Sequence, residues 1–184
     1  MSVLYLPDCP TSCTGYVNAV SFNECAPEVH WGEIAKVYVA PADLDLTGFD
    51  ASDLADWTAK LADTGDDKIR TLIGIGEMVE PEQTEVAISG DRTIQGYKKF
   101  IVNFEIDETN DTNYAFLAMT ECNGKYKFWF ETADGMLYGG NDAIEGSIKM
   151  NQVIPKSRQE LVKIMSKFSW QAKQHPYRCT SPMA

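Results

Sequence analysis

The chain of 184 residues sets 16 Lys and Arg against 27 Asp and Glu, a net charge of −11 with a pI near 4.6. That balance argues against wrapping nucleic acid, which needs clustered cations to neutralise phosphate. A hydrophobic content of 44% suits one globular domain, and no apolar run approaches the roughly 18 residues that a membrane helix requires.

In chain order, residues 1–30 read as an irregular arm holding Cys9, Cys13 and Cys25. Its start, MSVLYLPDCPTSC, lacks the basic and apolar stretches of a signal peptide, so residence in a cytoplasm is expected. AKVYVA (35–40) has the β-branched and aromatic content of a strand and ends at Pro41. FDASDLADWTAKLAD then predicts a helix, with Asp50 or Ser52 as N-cap, a stripe of Leu54, Trp57 and Leu61 facing a sheet, and Gly65 as its stop. LIGIGEM (72–78) lacks the third glycine of a dinucleotide-binding turn and reads as a kinked strand. Glu80, Glu82 and Glu85 follow around Pro81 as a solvated stretch.

KKFIVNFEI alternates with a period of two and sets Phe100, Val102, Phe104 and Ile106 on one face. KYKFWFET repeats the pattern, with Tyr126, Phe128 and Phe130 against Lys127, Trp129 and Glu131. The Asp-Gly of ADG then makes 125–140 a hairpin. Two further strands follow, one bearing Ile144, Ile148 and Met150. The other bears Val162, Ile164, Phe168 and Trp170, with Lys163, Lys167 and Lys173 opposite. Residues 31–175 form the expected domain and 176–184 a C-terminal tail. The fold class is mainly β (α+β), a β-sandwich or barrel with one or two flanking helices and a long hairpin.

The segment IDETNDTNYAFLAMTE (106–121) crowds Asp107, Glu108, Asn110, Asp111 and Asn113 together. A calcium loop beginning at Asp107 would need Gly at position 6 and a carboxylate at position 12, where Thr112 and Ala118 stand. A helix start accounts for the same residues: Thr109 or Asn110 caps, Asp111 complements the dipole, and Tyr114, Leu117 and Met119 or Phe116 give a buried side. His30 and His175 have no nucleophile beside them in sequence, and no GxSxG, HExxH or P-loop pattern occurs. No catalytic, cofactor-binding or metal-ligating residue is therefore assigned, and the chain is expected not to be an enzyme. Cys9, Cys13, Cys25 and Cys179 leave three readings open: free thiols, disulfides, or a four-thiolate zinc site joining the two ends.

The order of these phrases, from EVAISGDRTIQGYKKFIVNFEIDETND through KYKFWFETADGMLYGG to IEGSIKMNQVIP and KFSWQAKQHPYRC, resembles the tail-tube or tail-hub β-sandwich proteins of tailed bacteriophages, in particular those infecting Bacteroidetes. The resemblance spans most of residues 30–179 and leaves out the Cys-bearing ends. It implies a virion structural protein that self-assembles into homo-oligomeric rings, contacts other virion proteins, and lets DNA pass through the lumen without specific binding. No membrane is involved, and assembly takes place in the host cytoplasm. An acidic wall suits such a channel, because it repels phosphate. The hairpin 76–106, with EPEQTE and SGDRTIQG as its polar portions, is the expected contact between subunits. Two other roles remain open. One is a head-decoration, connector or fibre-docking virion protein. The other is a carbohydrate-binding module stacking sugars on Trp129, Tyr126 and Tyr138.

Overall fold

Alternation of apolar and polar residues over short runs, broken by Gly, Pro and Asp, builds a sheet protein. The computed structural model describes residue 25 and residues 29–30, 32–65, 68–90, 92–122 and 124–184. Its elements are β1 (Ile34–Pro41), α1 (Leu54–Ala62), β2 (Arg70–Ile88), β3 (Arg92–Ile106), α2 (Asp111–Thr120), β4 (Lys125–Thr132), β5 (Met136–Tyr138), β6 (Ile144–Val153), β7 (Lys163–Ala172) and β8 (Arg178–Thr180).

All of these strands lie in one antiparallel sheet of order β1-β2-β3-β7-β6-β4-β5-β8. β4 also pairs with β1, Tyr38 opposite Trp129 and Val37 opposite Phe130. Six strands thus form a ring, β1-β2-β3-β7-β6-β4, and the sheet is a partly closed barrel. Closure is partial because β6 holds the other edge of β4 only along Lys125–Phe128. β5 takes over that edge at Phe130 and Glu131, and β8 pairs with β5.

Two cores follow from this curvature. The period-two faces of β3 and β7 bury Phe100, Val102, Phe104, Ile106, Ile164, Phe168 and Trp170 in the barrel with Phe128, Phe130, Ile144, Ile148 and Met150. The opposite face of β1 and β4 is also dry. Tyr38, Ala40 and Trp129 pack there under Leu44, Phe49, Trp57 and Leu137, with Cys179 from β8. Trp57 meets Tyr38, Phe49 and Trp129 at ring-centroid distances of 4.9, 5.2 and 5.2 Å. Gly76 is part of the reason that β2 can bend along the ring. A Cβ there would lie 2.6 Å from Phe104 Cδ2, so no side chain fits.

The two helices form where expected, with corrections at their ends. α1 is capped by Asp53, whose Oδ1 accepts from the Ala55 N–H at 2.9 Å, and not by Asp50 or Ser52. Asp50 is spent on its own turn, where it accepts from the Ser52 N–H and hydroxyl. Of the expected stripe, Trp57 is buried and Leu61 half-buried, but Leu54, at the first position of the helix, is exposed. α2 is capped by Asn110, whose Oδ1 accepts from the Asn113 N–H at 2.9 Å. Leu117 and Phe116 pack on the barrel core, while Tyr114 and Met119 are exposed, since only one narrow side of this short helix touches the core. Residues 176–184, read above as a tail, supply β8 and place Cys179 in the second core.

Candidate functional site

β2 and β3 pair from Ile75 opposite Glu105 to Ile88 opposite Arg92. Their neighbours stop early. β1 leaves β2 at Gly76, and β7 leaves β3 at Lys98. Over residues 83–88 and 92–97, about 20 Å of strand, the hairpin is a ribbon without a third strand among the described residues. The register slips between Val79 and Glu82 and again between Gln83 and Glu85. Gly96 lies at the second slip. A Cβ on it would fall 2.5 Å from Thr84 Oγ1, so glycine is what permits the bulge.

This hairpin matches the long 76–106 hairpin read in the sequence, although β2 begins earlier, at Arg70. Val86 and Ile94 face each other across it, each 55% exposed, with Ile88 beside them. A two-stranded ribbon has no second layer to bury such a cluster. Glu77, Glu80, Glu82 and Glu85 are all exposed, and none has a hydrogen-bond or ion-pair partner among the described residues. Tyr97 is exposed as well, with the Lys173 ammonium 5.6 Å from its ring centre.

A second cluster lies behind the barrel wall. Glu131, 3% exposed, accepts from the Tyr38 hydroxyl at 2.8 Å, the Lys36 ammonium at 2.8 Å and the Ser181 hydroxyl at 2.9 Å. Burial raises the Tyr38 phenol well above its ordinary value of 10, and the hydrogen bond to Glu131 and its negative charge push the same way. Three donors on one carboxylate make this a joint between β1, β4 and the C-terminal segment. No local pattern marks it, because the partners lie 50 to 95 positions from Glu131.

The residues weighed as possible chemistry are placed as follows. Glu108 and Asn110 serve the start of α2: Asn110 Nδ2 donates to Glu108 Oε1 at 2.8 Å, and Asn113 Nδ2 donates to the Glu108 carbonyl at 2.7 Å. His30 Nδ1 lies 2.9 Å from Asp134 Oδ2. His175 sits edge-on to Phe100, and burial, with Lys98 nearby, lowers its pKa. Cys179 is a free thiol whose Sγ lies 3.7 Å from the Ala51 carbonyl, and burial raises its pKa. Cys25 is exposed, and Cys9 and Cys13 fall outside the described residues. Trp129 is no sugar platform. It is buried, and its Nε1 donates to the Gly140 carbonyl at 2.8 Å, while Tyr138 stacks on Phe130.

An open cleft of about 560 Å³ lies beside Trp170, Lys173, His175 and Tyr177, with Glu145 on its rim. Its charged groups are already engaged, Glu145 by Lys125 and Lys173 over the Tyr97 ring. Among the described residues, no helix is long and apolar enough to cross a membrane. No family model and no curated protein matches the chain.

Proposed function

We propose that the protein is a structural subunit of a tailed-bacteriophage virion, a ring- or tube-forming tail subunit that encircles the DNA channel and has no catalysis of its own. The observation that carries this reading is the projecting β2–β3 hairpin, which leaves the barrel with Val86, Ile88 and Ile94 uncovered. An exposed apolar ribbon with unpaired edges is an aggregation hazard in a monomer and an assembly device in an oligomer. The order of sequence phrases described above supports the choice of a tail protein. The net charge of −11 suits a channel wall that must not hold DNA. Other virion proteins and further copies of the chain are the partners in this reading, and the assembled particle is its location.

The test is negative-stain electron microscopy with sedimentation analysis over a range of protein concentrations. Hollow rings or tubes are expected. A variant in which residues 83–95 are replaced by a two-residue Asn-Gly turn should keep the barrel's circular dichroism and lose assembly. A wild-type chain that stays monomeric at every concentration would overturn the reading.

A further inference from the structure

We infer that the outer face of β6 and β7, around Lys149 and Lys167, is the seat for the projecting hairpin of a second copy of this chain. The inference rests on the self-assembly reading above and names the surface that the hairpin meets. Lys149 and Lys167 stand directly opposite each other in the antiparallel register, both exposed. Like charges in that position repel. Asn103 lies across from Lys167, Met165 and Ser169 flank it, and Ser147 and Asn151 flank Lys149; Glu121 lines a shallow cleft with Lys149 but forms no ion pair with it. The nearby carboxylate of Glu105 is taken by Lys163. In a chain with 27 acids to 16 bases, this pair lacks the counter-charge that the rest of the molecule has in excess.

The same face turns apolar at one end. Val153 lies on β6 opposite Lys163, Met165 lies on β7, and Ile154 and Leu161 flank the connection; all four apolar residues are exposed. The hairpin presents the matching pair of features. From Glu82 to Val86 is four residues, about 13 Å of strand, and from Lys149 to Val153 is the same. A hairpin laid along β6 therefore sets carboxylates on the lysines while Val86, Ile88 and Ile94 cover Val153 and Ile154.

Several acids elsewhere serve local turns and caps. Asp45 binds the Thr47 N–H, Asp50 binds Ser52, Asp53 caps α1, Asp56 binds the Asp50 N–H, and Glu108 holds Asn110. Glu80, Glu82 and Glu85 do not.

The contact is between copies and not within one. The hairpin leaves the barrel where Lys98 pairs with Ala172, and the apolar end of the seat lies where Ile106 pairs with Ile164 and Val153 with Lys163. Those points are at opposite ends of β7, about 27 Å apart. A hairpin at one end and its seat at the other make a head-to-tail interface, the kind that closes into rings or propagates as a tube.

The experiment compares assembly of the wild type, K149E/K167E and E80K/E82K/E85K by sedimentation velocity, each alone and the two variants mixed one to one. Each variant alone should need at least tenfold more protein to assemble, with the circular dichroism of its monomer like the wild type's. The mixture should recover assembly, because each hairpin then meets a face of opposite charge. K149Q/K167Q, which only removes charge, serves if the reversal does not fold. Wild-type-like assembly of the face variants would overturn the inference and leave the self-assembly reading standing. A wild type that never assembles would overturn both.

Discussion

Ser181 and Glu131 are 50 positions apart, yet the serine hydroxyl donates to the carboxylate at 2.9 Å in a buried site. The same carboxylate takes the Tyr38 hydroxyl, so one side chain ties together the two strands that close the ring and the segment that covers them. Ser181→Ala removes one donor and should cost about 1.5–3 kcal/mol, the range for a hydrogen bond to a charged group. Glu131→Ala leaves Tyr38, Ser181 and Lys36 without their acceptor and should cost about 3–5 kcal/mol. Urea unfolding measures both, and equal midpoints for the two variants would contradict the joint.

Tyr38 makes stability depend on alkaline pH. Its folded pKa is raised above the ordinary 10, so the neutral phenol is favoured in the folded chain. The contribution is complete below pH 10 and declines above it, because the unfolded chain then releases a proton that the folded chain keeps. Cys179, raised from 9 mainly by burial, adds a loss in the same direction starting lower. Thermal unfolding from pH 8 to 11 should show a falling Tm, and Tyr38→Phe should flatten the upper part of that fall.

Trp57 and Leu54 separate a buried helix face from a helix stripe. Trp57 is fully buried among Tyr38, Phe49 and Trp129, and its Nε1 donates to the Ala51 carbonyl at 3.0 Å. Trp57→Ala should cost about 3–5 kcal/mol. Leu54→Ala, at an exposed position, should stay within about 0.5 kcal/mol. Guanidinium denaturation of the two variants should differ accordingly; similar costs would place α1 differently on the sheet.

Lys167→Glu turns a like-charge pair into an opposite-charge pair across β6 and β7. A gain of about 0.2–1 kcal/mol in the monomer is expected, or a Tm rise of about 1–3 °C for a domain of this size. Scanning calorimetry at low and high salt should show that gain shrinking as salt screens the pair.

Much of the barrel was legible because β3 and β7 bury one face only, and a single dry face leaves a period of two in the sequence. β4 was harder. Trp129 and Glu131 alternate with Phe128 and Phe130 as an outward face should, but a second layer covers that face, so alternation carried no information about exposure. The closure of β1 on β4 joins residues 85 to 98 positions apart, beyond the reach of any local pattern. β8, three residues long, is held by β5 and by Cys179 rather than by propensity. The hairpin itself was visible from its polar, glycine-bearing stretch. Its free edges were not, since they depend on where β1 and β7 end. The start of α2 was readable because capping is chemistry between near neighbours, Asn110 and Asn113.

The order of contacts along the chain also orders events in time. The β2–β3 hairpin pairs residues as close as Ile88 and Arg92, whereas the ring waits for partners such as Tyr38 and Trp129 to find each other. Local pairs form in microseconds and distant ones lag. The first piece to take shape therefore includes the ribbon of residues 83–88 and 92–97 that the finished barrel never shelters. Glu77, Glu80, Glu82 and Glu85 act as gatekeepers through that interval, keeping newborn ribbons of neighbouring chains from zipping edge to edge before their barrels exist.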